Sequence, residues 1–235
     1  MYSIKKGNSI QLLNELQPGS VDLIFTDPPY KLIGGGCKKS MMRLRDADPE
    51  SAFTTSGEVF RTPTPEFKEW LPGVYRALKD DAYAFIMIND VNLRVLWNAA
   101  EDAGFKFCQL LVMGKTHAVP SSYFFKSCEF ILMFRKGAYT KFEKYGQRSY
   151  IEVKTAKGKE KIHPTEKPTE LIKPILEACS KPGDLILDPF MGSASTGVAA
   201  LELGRRFIGF EIDPIFYERC STRLYETFEK IMMDI

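Results

Sequence analysis

The sequence lacks the features that mark membrane, secreted and metal-binding proteins. Its 235 residues contain no apolar run approaching the roughly 18 residues of a membrane span. Residues 1–6 lack the apolar segment of a secretory signal. The five cysteines are scattered without Cys-x-x-Cys spacing, and His117 and His163 are too few for the zinc site of a nucleobase deaminase. These absences predict a cytoplasmic protein with reduced thiols, no metal and no membrane partner.

The pattern of apolar residues predicts one α/β domain. Alternating strand and helix patterns, including core-facing helices at 66–79 and 169–180, favour a mainly parallel sheet with helices on both faces. Two neighbouring strands have no helix between them, so one antiparallel member is expected. The domain is expected to span residues 1–235, with insertions at about 31–65 and 136–162. The seven predicted strands are 2–6, 21–26, 82–88, 105–112, 128–135, 184–188 and 206–210.

The tetrapeptide Asp27-Pro28-Pro29-Tyr30 follows the apolar run at residues 21–26. Two prolines cannot continue a strand, so the tetrapeptide opens a loop at the strand's carboxyl end. Ligands bind at that edge in open α/β sheets. The loop offers a carboxylate, a rigid turn and an aromatic ring, which are the parts needed to hold an amino group on a planar base. An ordinary turn is the alternative, because Asp and Pro are common turn residues.

A second motif occupies residues 184–196 and has the form of a strand, a small-residue loop and a helix that begins near Ser195. Small residues let a ligand approach the backbone, and a helix amino terminus supplies unpaired N–H groups. The next strand, 206–210, is followed by Glu211, which is placed to accept hydrogen bonds from ribose hydroxyls. The motif lacks the full G-x-G-x-x-G fingerprint, and alone it also suits a nicotinamide dinucleotide.

Together the two motifs resemble those of the β-class DNA amino-methyltransferases, which transfer a methyl group from S-adenosyl-L-methionine to an exocyclic base nitrogen. In that family D-P-P-Y is the catalytic loop and D-P-F-x-G-x-G-x-T binds the cofactor. Here the tetrapeptide comes first, and His-Pro-Thr-Glu-Lys-Pro at 163–168 precedes the cofactor stretch. This order implies a circularly permuted, Rossmann-like methyltransferase sheet over nearly the whole chain. Two residues depart from the family: Ala194 replaces a usual glycine, and Asn8 replaces a frequent acid.

The resemblance implies a role for each residue of the tetrapeptide. Asp27 and the Pro28 carbonyl accept the two N–H groups of the base, Pro29 completes the turn, and Tyr30 stacks on a base flipped out of the duplex. The methyl group is then transferred directly, without a covalent enzyme intermediate. The cofactor contacts that the resemblance implies are Asn8, Ser9, Asp27, Lys167, Thr169, Asp188, Pro189, Phe190, Gly192, Ser193, Ser195, Thr196, Glu211 and Ile212. For Thr169 a role at a helix start is equally compatible with the sequence.

The net charge of +2 conceals a strong asymmetry. Residues 31–45 contain five basic residues and no acid, and residues 135–161 contain nine basic and three acidic residues with interleaved tyrosines. Charge separated in this way predicts a face that binds a polyanion, whereas two solvated loops are the alternative. The predicted DNA contacts are Lys38, Lys39, Arg43, Arg45, Lys141, Lys144, Tyr145, Arg148 and Tyr150.

The substrate prediction is adenine N6 in duplex DNA, because the family's cytosine-N4 members more often carry serine in place of Asp27. The alternatives are a cytosine-N4 methyltransferase, an RNA base methyltransferase, whose motif more often resembles N-P-P-F or N-P-P-Y, and a non-catalytic nucleic-acid-binding protein. A prokaryotic or phage-like setting is expected. A homodimer and a cognate restriction enzyme are further candidate partners, and the sequence leaves the recognition site open.

Overall fold

The computed structural model describes residues 1–30, 64–120, 123–153 and 166–233. No helix in these ranges is both long enough and apolar enough to cross a membrane. The helices are α1 (Ser9–Glu15), α2 (Phe67–Ala77), α3 (Leu93–Asp102), α4 (Thr169–Cys179), α5 (Ser195–Glu202) and α6 (Pro214–Met233). The strands are β1 (Tyr2–Lys6), β2 (Val21–Thr26), β3 (Leu78–Ile88), β4 (Lys106–Val119), β5 (Lys126–Arg135), β6 (Tyr150–Val153), β7 (Leu185–Asp188) and β8 (Arg206–Glu211).

One sheet contains all eight of these strands, in the order β1-β8-β7-β2-β3-β5-β4-β6. β5 runs antiparallel to both of its neighbours, β3 and β4, and the other pairs are parallel. If β7 is counted as the first strand and β1 as the third, the first five positions read 3-2-1-4-5, as in doubly wound sheets. The predicted mixed, circularly permuted sheet is therefore confirmed.

Alternating residues of the central strands supply two hydrophobic cores. On β2, Leu23 and Phe25 pack on one face with residues of α4, α5 and α6. Ile24 packs on the other face with residues of α1, α2 and α3. A parallel strand that is covered on both faces reads as a continuous apolar run, which is why β2 was evident in the sequence. The predicted core role of the helices near 66–79 and 169–180 is also confirmed, for example by the fully buried Trp70.

The seven-strand prediction was wrong by one, because it missed β6. This strand pairs in parallel with β4 inside the basic segment 135–161, which was expected to lie outside the sheet. The alternation of apolar and polar residues in β6 is short and includes a charged residue, so the charged composition of the segment hid the strand. Tyr150 begins β6 and its ring lies against Gly114, where the missing side chain leaves room for the ring. Val153, at the other end, is buried.

The two ends of the parallel strands define two edges, which we call the carboxyl rim and the amino rim. Because β5 is antiparallel, the β4–β5 hairpin lies at the carboxyl rim and the chain leaves β5 at the amino rim. There the Lys136 amide donates to the Ala82 carbonyl at 3.0 Å, and the Glu143 amide donates to the Ala178 carbonyl near the end of α4 at 2.8 Å. The catalytic and cofactor motifs follow β2 and β7, so both lie at the carboxyl rim.

Candidate active site

Asp188 joins the two motifs at the point where the strand order reverses. It ends β7 and is buried, and it accepts hydrogen bonds from the hydroxyls of Thr26 and Thr196, each at 2.7 Å. It also accepts from the Phe190 amide at 3.1 Å. Burial raises the pKa of its carboxyl to about 6 although these hydrogen bonds oppose the shift. The carboxylate therefore holds the cofactor loop against Thr26, the last residue of β2, which directly precedes the tetrapeptide.

The tetrapeptide lies where the sequence predicted it, directly after β2. The Asp27 carboxylate and the Lys167 ammonium form an ion pair, Oδ2 to Nζ 2.7 Å, with 19% and 12% of their side chains exposed. Within the described residues no hydrogen bond reaches Oδ1. Pro28 is buried and Pro29 is half-buried. Burial raises the pKa of the Tyr30 hydroxyl, and the negative charge of Asp27 raises it further. Tyr30 therefore stays neutral, and Asp27 keeps one oxygen available.

The structure adds two residues that sequence reasoning missed, Glu129 and Lys115. Lys167 Nζ lies 3.1 Å from Glu129 Oε2, and the other oxygen of Glu129 pairs with the Lys115 ammonium. Glu129 on β5 faces Met113 across the ladder, two residues from Lys115 on β4. Nothing in the linear sequence marks a charged residue in a strand as part of a site, because its partners come from other strands. Asp27, Lys167, Glu129 and Lys115 thus form a chain of alternating charge.

The chain of charges keeps Lys167 and Glu129 ionised. Burial lowers the pKa of Lys167, but the Asp27 and Glu129 carboxylates outweigh it, and the net pKa is raised. Burial raises the pKa of Glu129, but Lys167 and Lys115 outweigh it, and the net pKa is lowered. For Asp27 burial prevails, so its pKa is raised although Lys167 opposes the shift. Asp27 is therefore the carboxylate of this chain that is easiest to protonate.

The cofactor loop is held by backbone amides that donate hydrogen bonds to a half-buried acid. Glu211 accepts from the Gly192 amide at 3.0 Å and from the Asp213 amide at 2.8 Å, and burial raises its pKa against the effect of these bonds. Ser9 donates from its hydroxyl to the Pro189 carbonyl. Gly192 has a φ of 47°, a left-handed conformation that favours glycine. The predicted residues Ser9, Pro189, Gly192 and Glu211 are thus brought together.

Two further contacts shape this loop. Arg223 on α6 donates to the Ser193 carbonyl at 2.8 Å, lies 3.3 Å from the Ser195 hydroxyl and pairs with Glu166 at 2.9 Å. On the other side, the Phe190 ring meets Trp70 edge-on, with centroids 5.1 Å apart. Arg223 was missed because it lies in an amphipathic helix about thirty positions beyond the loop.

The remaining predicted cofactor residues border the same loop less directly. Asn8 accepts from the Ile10 amide at 2.8 Å and from the Gln11 amide at 3.4 Å, so its side chain caps α1. Thr169 is the first residue of α4, two positions after Lys167. Ile212 follows Glu211 and is 42% exposed at the rim. Their contacts with a cofactor stay predictions.

The predicted DNA contacts divide between two places. Lys38, Lys39, Arg43 and Arg45 lie outside the described residues. Lys144 pairs with Glu177 at 2.6 Å, and the Lys141 ammonium lies 5.8 Å from the centroid of the Tyr145 ring. Both lysines are at the amino rim, and Arg148 and Tyr150 lie at the β6 edge of the sheet, where the Ser149 carbonyl accepts from the Val112 amide at 2.7 Å. Among the described residues, Lys141 and Lys144 therefore lie at the opposite edge of the sheet from the tetrapeptide, and the DNA contacts stay predictions.

The arrangement fits S-adenosyl-L-methionine. A left-handed glycine and the start of α5 let a ligand approach the backbone. Glu211 provides an acid after the second strand of the unit, as ribose binding requires. A methyl donor held there lies next to the tetrapeptide, because Asp188 ties the two loops together.

Comparison with known proteins points to the same activity. A family model described as DNA methylase matches residues 21–221. The type II methyltransferase M2.DpnII of Streptococcus pneumoniae is 31% identical over 92% of this chain and 87% of that protein. The crystal structure of the M1.HpyAVI–SAM complex has a TM-score of 0.70 at 24% identity, covering 95% of this chain and 99% of that one. PvuII DNA methyltransferase, described as cytosine-N4-specific, has a TM-score of 0.69 at 17% identity, covering 98% and 92%.

The two solved structures are distant in sequence and establish the fold alone. The family model and the relative of Streptococcus pneumoniae extend over most of the chain, including both motifs. This chain therefore belongs to the DNA methylase family, and its methyl donor is S-adenosyl-L-methionine.

Proposed function

We propose that this protein methylates the N6 amino group of adenine in duplex DNA. The observation that carries the proposal is the position of Asp27, a half-buried carboxylate at the switch point of the sheet, beside the cofactor loop. An acid in this place supports adenine, because the cytosine-N4 members that the tetrapeptide resembles more often carry serine there. The target atom is inaccessible inside a duplex, so the base must be flipped out to reach this edge.

The residues of the tetrapeptide overcome the weak nucleophilicity of an aromatic amine. The lone pair of adenine N6 is delocalised into the ring. When Asp27 Oδ1 and the Pro28 carbonyl each accept one N–H, the nitrogen pyramidalises and its lone pair becomes available. The bound cofactor supplies an electrophilic sulfonium methyl group. A nitrogen–carbon bond forms as the carbon–sulfur bond breaks, and the excess proton on nitrogen passes to Asp27 or to water.

Lys167 is a positioning residue for this step. It holds Asp27 through Oδ2 and leaves Oδ1 for the base. Its positive charge also opposes the rise in the pKa of Asp27 that burial causes. A protonated Asp27 would lose acceptor capacity, so the ammonium favours the working form of the acceptor against the effect of burial.

Product analysis tests the proposal. The purified protein is incubated with labelled S-adenosyl-L-methionine and DNA, RNA or no nucleic acid, and the nucleic acid is digested to nucleosides. We expect label in N6-methyladenine from DNA. Label in N4-methylcytosine or in RNA nucleosides would replace the proposal with those activities. A protein that binds the cofactor and DNA but transfers no label would be a non-catalytic binder.

The setting and partners are also proposals. The name of the type II methyltransferase M2.DpnII supports a role beside a cognate restriction enzyme in the cytoplasm of a prokaryote. Sedimentation of the purified chain, alone and with DNA, tests whether it works as a homodimer.

A further inference from the structure

The β4–β5 hairpin carries three consecutive exposed aromatic side chains, two of which are the most exposed aromatic residues in the described part of the chain. Phe124 is 94% exposed, Tyr123 92% and Phe125 64%. A single exposed apolar residue is ordinary, but three consecutive large rings in solvent form a patch that needs an explanation. Sequence reasoning did not select them, because the predicted DNA contacts were placed in basic segments.

The patch lies on the same edge of the sheet as the catalytic loop. Lys126, the next residue, pairs with Asp90 after β3 at 3.0 Å, so the base of the hairpin lies at the carboxyl rim. Phe125 precedes Glu129 by four residues, a strand distance of about 13 Å. Glu129 contacts the same ammonium as Asp27. The rings therefore lie close enough to the charge chain that holds Asp27 for one duplex to reach both.

We propose that Phe124 and Phe125 contact duplex DNA beside the flipped base, stacking on or wedging between the neighbouring base pairs. This inference rests on the proposed function, since it names where the duplex lies on the site. Flipping a base breaks its stacking and leaves a gap, and apolar side chains inserted at base steps are a known way to stabilise such distorted DNA. The rings meet this need because they are apolar, exposed and adjacent to the catalytic edge.

DNA fits the patch better than a second copy of the chain does. Aromatic side chains bury about 150–250 Å² each, so three rings supply less than the roughly 800 Å² that each partner contributes to a stable interface. The position also favours DNA, because the rings lie on the edge of the sheet that carries the tetrapeptide, where a DNA methylase receives its substrate. A duplex whose base stack is opened by flipping matches both the apolar rings and their position.

The test is the double variant Phe124→Ala/Phe125→Ala, assayed for duplex DNA affinity and for turnover. We expect both to fall by about five- to one-hundred-and-fifty-fold, the usual effect of removing a stacked aromatic. The salt dependence of DNA affinity should keep its slope because no charge is lost, and S-adenosyl-L-methionine affinity should be unchanged. Phe124→Leu/Phe125→Leu should recover most of the loss, because leucine also serves as a wedge.

Tyr139→Ala is the matched control, since Tyr139 is 65% exposed and lies at the amino rim. It should leave DNA affinity unchanged. Wild-type affinity and turnover in the double alanine variant would overturn the proposal. So would a loss that accompanies a change from dimer to monomer in sedimentation, which would assign the rings to contact between copies. If the wild-type protein methylates no DNA, the proposed function fails, but the DNA affinity of these variants still decides the role of the rings.

Discussion

The carboxyl and amino rims of the sheet contain similar side chains that are used differently. At the carboxyl rim Lys167 and Asp27 lie 2.7 Å apart with 12% and 19% of their side chains exposed. At the amino rim Lys144 and Glu177 lie 2.6 Å apart with 57% and 36% exposed. The distances are almost equal, so distance does not separate a functional ion pair from a surface pair. The two pairs differ instead in the exposure of their side chains and in the number of charged partners around them.

The difference has a physical origin. An exposed pair is screened by water and contributes about 0–1 kcal/mol, and either member can be lost without consequence for its neighbours. Burying an ion pair costs desolvation free energy, and the pair persists only when further partners satisfy each charge. At the carboxyl rim these partners come from β4, from β5 and from the residues just before α4, so three separate parts of the chain hold one carboxylate. Strongly shifted pKa values in a cluster of buried charges are typical of functional sites.

Asp27→Ala is the strongest test of the difference between the two rims. A hydrogen bond to a charged group is worth about 1.5–3 kcal/mol, so methyl transfer should slow by about ten- to one-hundred-and-fifty-fold or more. Cofactor affinity should remain, because Glu211 and the loop are intact. Single-turnover methylation and calorimetry measure the two effects. Glu177→Ala at the amino rim is the control and should have wild-type turnover; near-normal methylation by Asp27→Ala would remove it from catalysis.

Glu129→Gln tests whether the charge chain matters beyond Asp27. The substitution keeps an acceptor for Lys167 but removes a negative charge close to Asp27, and we expect turnover to fall about tenfold, or about 1.4 kcal/mol. The direction of the pH shift is a separate readout. Burial and the Glu129 charge both raise the pKa of Asp27, so wild-type activity should fall on acidification at a pH above the usual carboxyl range. Without the Glu129 charge this acid limb should move to lower pH.

The control for this variant is Glu177→Gln, which removes the same charge from the exposed pair at the amino rim. It should change neither turnover nor the pH profile. An acid limb that stays in place in Glu129→Gln would show that the Glu129 charge does not reach Asp27, and a loss of activity would then reflect altered packing of β4 and β5.

The sequence predicted the parts of this site that are local and missed the parts that are assembled by the sheet. The tetrapeptide after β2 and the loop after β7 are contiguous, so their residue types and order carried the information. Glu129, Lys115 and Arg223 are each ordinary charged residues on a strand or helix, and they acquire a role only through neighbours far away in sequence. The amino-rim position of Lys141 was missed for the same reason, since it depends on the antiparallel direction of β5.

A smaller effect is expected at Ala194, and it has a counterpart at the amino rim. Ala194 and Asp81 have φ values of 58° and 59°, the non-glycine residues with positive φ in the described chain. Ala194→Gly relieves about 1–2 kcal/mol of left-handed strain. It also loses a buried methyl group worth about 0.8 kcal/mol and gains unfolded-state freedom of about 0.4–1 kcal/mol. Unfolding free energy should therefore change by less than about 1 kcal/mol.

Asp81→Gly should lose more stability than Ala194→Gly, because the Asp81 carboxylate accepts from the Ala138 amide at 2.6 Å and glycine cannot. Denaturant unfolding of the two variants gives the comparison directly. A large destabilisation by Ala194→Gly would mean that the Ala194 methyl group stabilises the cofactor loop. The presence of alanine where the family usually has glycine would then improve the packing of the loop.

The smallest effect is expected from replacing Lys141, Lys144 and Arg148 together with Ala. The sequence predicted that this basic segment binds the DNA backbone, and in that case the slope of log affinity against log salt would flatten by up to about three units, at about 0.9 per phosphate contact. The structure places both lysines at the amino rim, away from the edge where the base must enter, and Lys144 already pairs with Glu177. We therefore expect the slope to change by less than about one unit. A flattening of about three units would mean that DNA also crosses the amino rim, and the contrast between the two rims would then apply to catalysis but not to binding.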